Sequence, residues 1–253
     1  MRKIVIISLL LISIALSGVM ASPEEDSFVK GNELYSSGKI EEALDQWMSV
    51  YNQGFKSAAL YYNIGNAYFK LNKIPQSILF FEKALLLKPG DEDINYNLGV
   101  ARTFVVDRFD EIPELFFIRW FDFVSLSVST NKWATISLTS FIVFLILGSV
   151  FLYSSKYRLK VIAFWISLFL LILSSSTLTF SLRNNKLVYN NNKAIIVTPV
   201  INGKSSPNIN GTDLFVLHEG TKVTIEDELS GWAEVRLLDG NMGWVTKDCL
   251  DKI

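Results

Sequence analysis

The spacing of apolar and polar positions divides the chain into three regions with different predicted structures. In the N-terminal region, small and apolar residues recur at a long, fixed interval typical of helical repeats. Two uncharged apolar runs follow, residues 133–153 and 161–182, and each can cross about 30 Å of hydrocarbon as a helix. From residue 193 onwards, apolar and polar residues alternate in short runs typical of β-strands. The pattern predicts a multidomain chain with an all-α region, a two-helix transmembrane hairpin and a C-terminal all-β module.

The N-terminal repeat has a period of 34 residues, set by Gly31, Gly65 and Gly99. At the same interval Trp47 aligns with Phe81. A glycine or other small residue lets the first helix of each pair approach its partner, while the apolar positions fill the gap between stacked pairs. The segments GNELYSSGKIEEALDQW and LYYNIGNAYFKLNKIPQSILFFEKALLLKP resemble tetratricopeptide repeats. The resemblance implies a tetratricopeptide repeat array over residues 22–107, with DEDINYNLGVART as a capping helix.

Tetratricopeptide arrays bind peptides or partner helices on a concave face, so the resemblance implies binding. The positions that correspond to this face are Asn32, Tyr62, Asn63, Asn66, Tyr96 and Asn97. The alternative is that these residues are merely solvated. One subclass of the family captures a carboxylate with asparagines and basic residues, but Phe28, Asp93 and Asn97 stand where the basic residues belong. We therefore expect the groove to bind a polar peptide backbone.

The predicted hairpin has a charge pattern that gives its orientation. The connection over residues 154–160 carries Lys156, Arg158 and Lys160, and the positive-inside rule places it in the cytoplasm. Before the hairpin, residues 108–132 form an aromatic segment. Its composition suits a helix at the membrane interface, with packing against the last repeat helix as the equal alternative.

Residues 1–21 have the parts of a bacterial signal peptide, with two basic residues, a short apolar run and small residues before Ser22. We expect cleavage after Ala21, and the alternative is an uncleaved membrane anchor. In both cases the repeats are translocated. The signal and the basic connection thus agree in placing the repeat region and the β-module in the periplasm, on either side of the inner-membrane hairpin.

The β-module over residues 193–253 follows a polar linker, residues 183–192. Its runs predict five or six strands, with Asp239-Gly240 as a two-residue hairpin turn between the fourth and fifth. The series LHEGTKVTIEDELSGWAEVRLLDGNMGWV resembles the small Src-homology-like barrels of bacterial envelope proteins. Strand alternation sets Trp232 and Trp244 opposite the apolar face, where they can bind a ligand. The alternative is that both rings pack against the barrel.

Sequence features of several other functions are missing. The net charge is −1, so the chain lacks the excess of basic residues that is typical of nucleic-acid-binding proteins. The chain has one histidine and one cysteine, which rules out an intramolecular disulfide and the usual zinc-ligand spacing, and it has no GxxxxGK phosphate loop. We therefore expect neither an enzyme nor a metal or cofactor site.

The order of parts resembles the E-type member of the bacterial aerotolerance (Bat) operons. The segments YYNIGNAYFKLNKIPQSILFFEKALLLKPGDEDINYNLGVART and GTDLFVLHEGTKV carry this resemblance most specifically. The resemblance implies that the protein acts in envelope maintenance or stress tolerance, together with membrane proteins that have von Willebrand-type domains and with a MoxR-type ATPase. Two functions follow as hypotheses: a scaffold that binds protein partners, and an anchor that links the inner membrane to peptidoglycan.

Overall fold

The computed structural model describes residues 23–109, 115–189 and 192–253. The predicted signal peptide and its cleavage site therefore lie outside the described residues. The chain divides after Phe55 into two compact units.

The first unit contains one helix pair, α1 (Pro23–Ser36) and α2 (Ile40–Asn52). Gly31 of α1 lies against the ring of Trp47, so closely that a Cβ at this position would collide with the indole. Trp47 is only 1% exposed, and its indole N–H donates a hydrogen bond to the Phe28 carbonyl at 3.2 Å. The glycine is therefore what brings the two helices into contact.

The second unit begins with an equivalent pair, α3 (Ala58–Lys70) and α4 (Ile74–Leu87). A Cβ on Gly65 would lie 2.6 Å from Cδ1 of Phe81, which repeats the relation between glycine and aromatic ring seen in the first pair. The buried Ser77 hydroxyl donates to the Gly65 carbonyl at 2.9 Å and fixes this contact. The 34-residue period thus corresponds to one helix pair.

Helix α5 (Glu92–Arg102) packs against α4 through buried apolar residues. Asp91 caps its first turn, because its carboxylate accepts a hydrogen bond from the Ile94 N–H at 3.1 Å. A Cβ built on Gly99 would meet no atom of the described chain within 4 Å. The third glycine of the period therefore has no aromatic ring packed on it, unlike the first two.

Three helices form the apolar region: α6 (Phe116–Leu126), α7 (Thr130–Tyr153) and α8 (Tyr157–Tyr189). Helices α7 and α8 are long and apolar enough to cross a membrane, with mean hydropathies of 2.3 and 2.2 over their most apolar stretches. They pack against each other along their length. Where the sequence analysis places a connection over residues 154–160, only residues 154–156 lie outside the helices.

Helix α8 also continues beyond the predicted span, so residues 183–189 are helical where the sequence analysis places a linker. The polar side chains of this extension have partners on α6. Arg183 Nη2 lies 2.5 Å from Asp122 Oδ1, and the Asn184 amide donates to the Ser125 carbonyl at 2.7 Å. An ion pair thus links Arg183 to α6, and hydrogen bonds link Asn184 to α6; the local sequence reveals neither partner.

The β-module is an antiparallel sheet of seven strands in the order β3-β2-β6-β5-β4-β1-β7. The strands are β1 (Lys193–Ile196), β2 (Val200–Lys204), β3 (Asp213–His218), β4 (Lys222–Leu229), β5 (Trp232–Arg236), β6 (Met242–Thr246) and β7 (Leu250–Lys252). Its core consists of one cluster of buried side chains: Ala194, Ile196, Leu217, Val223, Ile225, Ala233, Val235, Leu237, Val245 and Cys249.

The sheet differs from the sequence-based prediction in its number of strands, seven instead of five or six, and in one turn. The alternating run AIIVTPV reads as one strand in the sequence, but β1 ends at Ile196 and β2 begins at Val200, just after Pro199. Proline has no N–H to donate to a sheet, so the chain changes direction there. The predicted two-residue turn is instead a longer connection, residues 237–241, in which Gly240 has a φ of 90°.

Candidate binding sites

Three of the six residues predicted to line the repeat groove form one hydrogen-bonded cluster between α3 and α5. The Asn97 amide nitrogen donates to the Tyr62 hydroxyl oxygen at 2.8 Å and to Asn66 Oδ1 at 3.0 Å. The Tyr62 ring also lies against Phe81, with the ring centroids 5.9 Å apart. All three polar side chains are half-buried. The three side chains are therefore ordered by contacts with one another across α3 and α5.

The other predicted groove residues are placed differently. Asn63 is half-buried on α3, whereas Tyr96 on α5 is 73% exposed. Asn32 is half-buried on α1 in the first unit. A peptide backbone can use the amides for hydrogen bonds, and an exposed tyrosine adds contact area with few rotatable bonds.

The two tryptophans of the β-module share the face of the sheet opposite the core. Trp232 and Trp244 are half-buried, while Ala233 and Val245 beside them are buried. Trp232 pairs with Thr246 and Glu234 pairs with Trp244, so the two rings are diagonal neighbours on adjacent strands. Diagonal neighbours on one face lie within reach of large side chains. The alternation predicted from sequence is thus the alternation found.

A buried ion cluster joins the β-module to the second repeat pair. Glu82 on α4 has a side chain only 7% exposed, and its carboxylate meets Arg102 Nη2 at 2.5 Å and Lys222 Nζ at 2.6 Å. Burial by itself raises the pKa of Glu82. The two cations and their hydrogen bonds lower this pKa by more than burial raises it, so the net shift is downward. The carboxylate is therefore ionised and holds α4, α5 and β4 together.

A second contact with the β-module involves Asp107, in the loop after α5. Its Oδ2 accepts hydrogen bonds from the Thr221 hydroxyl at 2.6 Å and the His218 N–H at 2.7 Å, and its Oδ1 lies 2.7 Å from His218 Nδ1. Burial raises the pKa of Asp107, and these hydrogen bonds lower it by more, so the net shift is downward. The sequence gives no signal for this contact, because Asp107 and Thr221 are 114 residues apart in the chain.

No group of three or more potential metal ligands occurs among residues 23–109, 115–189 and 192–253. Cys249 is buried in the β-module, and burial raises the pKa of its thiol to about 11. A thiol with this pKa is protonated at neutral pH and packs as a small apolar side chain.

Comparison with known protein families assigns two parts of the chain. Residues 58–91, which span α3 and α4, match the tetratricopeptide repeat. Residues 204–251 match the bacterial SH3 domain. No curated protein matches the chain.

The chain combines a tetratricopeptide-like helical region with a bacterial SH3-like sheet. Both kinds of domain typically bind other molecules and do not catalyse reactions. The tetratricopeptide repeat indicates protein binding, and the bacterial SH3 domain indicates an envelope location with a role in protein or peptidoglycan binding. The groove cluster lies within the matched repeat and α5, and both tryptophans lie within the matched SH3 domain.

Proposed function

We propose that this protein is a membrane-anchored scaffold that holds its repeat groove and its SH3-like domain on the periplasmic side of a bacterial inner membrane. The observation that carries this proposal is that the chain enters and leaves the apolar hairpin at the same end. The Ser181 hydroxyl of α8 donates to the Thr130 carbonyl at the start of α7, at 3.2 Å. The opposite end carries the basic connection with Lys156 and Arg158, which favours the cytoplasm.

Helix α6 supports the membrane placement. It packs against α8 and leaves large aromatic side chains exposed, among them Phe116 at 83% and Phe123 at 75%. Apolar side chains of this size are rarely left in water on a soluble protein. Because α6 lies beside the end of the hairpin from which the chain leaves, we propose that these rings lie in the membrane interface.

The scaffold role rests on the two binding surfaces. The Tyr62, Asn66 and Asn97 cluster offers ordered polar groups to a peptide, and the tryptophan pair offers aromatic area on a second domain. The resemblance to the Bat operons suggests the partners: membrane proteins with von Willebrand-type domains and a MoxR-type ATPase.

The test is co-purification of the tagged full-length chain from detergent-solubilised membranes of its own host. We expect von Willebrand-type membrane proteins to be enriched over a control chain whose first unit and α3 to α5 have been deleted. Equal recovery by both chains would show that the repeats do not hold the partners. Recovery of unrelated envelope proteins alone would contradict the Bat assignment and leave the scaffold role.

A second candidate function is anchoring to peptidoglycan, favoured by the bacterial SH3 match and the half-buried Trp232 and Trp244 on one face. Aromatic rings on a small β-domain are suited to stacking on ligand faces. Sedimentation of the purified protein with isolated wall sacculi tests it. Binding to sacculi that is lost without the SH3-like domain supports the anchor, whereas protein that stays in the supernatant contradicts it.

A further inference from the structure

The face of the SH3-like domain opposite its core carries a row of directly paired residues on strands β2, β6, β5 and β4. Lys204 on β2 lies opposite Trp244 on β6. On its other side Trp244 lies opposite Glu234 on β5, and Glu234 lies opposite Asp227 on β4. Trp232 precedes Glu234 by two residues on β5 and therefore points to the same face. We call Trp232, Trp244, Glu234 and Asp227 the outer-face site.

The strand register sets the distances within the outer-face site. Side chains directly opposite each other in an antiparallel sheet have Cβ atoms about 5 Å apart, and side chains two residues apart on one strand are about 7 Å apart. The carboxylate of Glu234 is thus within reach of both indole rings and of the second carboxylate on Asp227. Leu229, which is 53% exposed, lies opposite Trp232 and adds apolar surface beside its ring.

Both carboxylates of the outer-face site lack a cationic partner among the described residues. The cationic side chains on the strands of the site, or directly after them, are each bound to another carboxylate. These ion pairs are Lys204 with Asp213, Lys222 with Glu82, Arg236 with Glu226, and Lys247 with Glu228. The two negative charges of the site are therefore left without neutralisation by the domain itself.

Glu234 and Asp227 oppose each other as like charges, an arrangement that lowers the stability of a sheet. Asp227 Oδ1 accepts a hydrogen bond from the Glu228 N–H at 2.8 Å, and this bond leaves the charge in place. A cation bound between the two carboxylates removes the repulsion. It also lies close enough to the indole rings for a cation–π interaction, which extends to about 6 Å from the ring centroid. The site is thus complementary to a positively charged group.

The surface around the carboxylates indicates which kind of cation fits. The half-buried tryptophan rings and the exposed Leu229 offer apolar contact, and a basic side chain packs its hydrocarbon stem on such a surface while its charged group stays polar. A metal ion has no stem and is held by more ligands than two carboxylates. Stem peptides of the cell wall carry carboxylates beside their amino groups, and Glu234 and Asp227 repel these.

We propose that the outer-face site binds a lysine or arginine side chain in a basic segment of a partner protein. The carboxylates of Glu234 and Asp227 neutralise the cation, and the rings of Trp232 and Trp244 contact its stem. This inference rests on the scaffold role proposed above and names the chemistry of the partner that the tryptophan pair holds. It also assigns this face to protein binding instead of wall binding.

The test is fluorescence anisotropy with the full-length chain in a non-ionic detergent and a short peptide of alternating lysine and serine that carries a neutral dye. The control ligand is the same peptide with every lysine acetylated, which keeps the stem and removes the charge. We expect the lysine peptide to bind at least about tenfold more tightly, and its affinity to fall as salt rises. Equal binding of the two peptides would overturn the proposal. Displacement of the lysine peptide by an equal concentration of soluble wall stem peptide would also overturn it.

The variant that locates the site is Glu234→Gln with Asp227→Asn. The change removes a repulsive pair, so the fold tolerates it, and we expect the affinity for the lysine peptide to fall about tenfold. The matched control is Glu219→Gln with Asp251→Asn, which removes two charges from exposed positions outside the site and should bind as the unsubstituted chain does. An unchanged affinity in the first variant, or an equal loss in the control, would contradict the proposal.

The variant Trp244→Leu separates the aromatic site from general attraction between opposite charges. It keeps both carboxylates, and we expect a severalfold loss of affinity because a cation–π contact is removed. Full affinity in this variant would show that charge alone attracts the peptide and would overturn the proposal. The peptide assay is independent of partner co-purification. Binding of the lysine peptide supports the site even if no Bat-type partner is recovered, whereas absence of binding overturns it even if the partners co-purify.

Discussion

Lys222 Nζ on strand β4 lies 2.6 Å from Glu82 Oε2 on helix α4, although 140 residues separate them in the chain. The ion pair is shared with Arg102, so one buried carboxylate connects the SH3-like domain to two repeat helices. Asp107 makes the second connection through His218 and Thr221. The repeats and the SH3-like domain are thus held together by polar contacts that both domains supply.

Replacing Glu82 tests whether this ion pair stabilises the junction. Glu82→Gln leaves Lys222 and Arg102 without their carboxylate in a mostly buried setting, and we expect a loss of about 3 kcal/mol in the free energy of unfolding. Urea denaturation of the full chain in detergent, followed by tryptophan fluorescence, measures it. The control Glu226→Gln removes the more exposed partner of Arg236 and should cost less than about 1 kcal/mol. Equal losses in both variants would contradict a special role for Glu82.

Asp107 makes the junction sensitive to acid. Its pKa in the folded protein is lowered, so ionised Asp107 stabilises the fold above its unfolded pKa of about 3.9, and this contribution is lost as the pH falls through the lower folded value. We expect Asp107→Asn to cost about 2 kcal/mol at neutral pH. The difference from the unsubstituted chain should shrink below about pH 4.

The matched control for this prediction is Asp213→Asn. Asp213 forms an ion pair with Lys204 on the surface of the domain, where water screens it. Its substitution should leave the free energy of unfolding nearly unchanged. A penalty for Asp107→Asn that stays constant down to strongly acidic pH would mean that its charge is not what stabilises the junction.

The repeat groove is tested by Tyr62→Ala with Asn66→Ala. The double change removes both acceptors of the Asn97 amide and the exposed part of a tyrosine ring, so partner co-purification should fall severalfold while the helices remain folded by circular dichroism. Tyr62→Phe removes only the hydroxyl and should have a smaller effect. Tyr157→Ala, an exposed tyrosine at the other end of the hairpin, serves as control. Undiminished co-purification by the double variant would rule out this groove.

Replacing either tryptophan with alanine should weaken binding more than it lowers stability. Because Trp232 and Trp244 lie on the outer face, each alanine variant should lower affinity for wall fragments or partner ectodomains by on the order of 2 kcal/mol. The melting temperature should fall less than in Val245→Ala, which empties part of the core. Melting far below that core variant would show that the rings are structural, and the binding surface would have to be abandoned.

Topology is tested by reporter fusions. Alkaline phosphatase fused after Ile253 should be active, because we place the SH3-like domain in the periplasm, where the reporter folds. The same enzyme inserted after Ser155 should be inactive, since the adjacent basic residues hold that connection in the cytoplasm. The reverse pattern of activity would invert the proposed orientation.

The sequence alone determined the local elements and the fold class. Gly31 and Gly65 recur because each fits beneath an aromatic ring one helix away. The charge-free runs over residues 133–153 and 161–182 mark the long apolar stretches of α7 and α8. Strand alternation placed Trp232 and Trp244 on the outer face correctly, because a strand's period of two is fixed by its backbone.

Tertiary structure alone decided which distant polar groups meet. Glu82, Asp107 and Lys222 look like ordinary surface charges in the sequence, since their partners lie on other elements and no local period relates them. The same reason explains the end of α8, where the sequence predicts a linker. In the structure Arg183 forms an ion pair with Asp122 and Asn184 donates a hydrogen bond to Ser125, and both partners lie on α6. A local pattern determines the secondary structure of a segment. The contact between the SH3-like domain and the second repeat pair depends instead on how helices and strands pack, and residues far apart in the chain decide that packing.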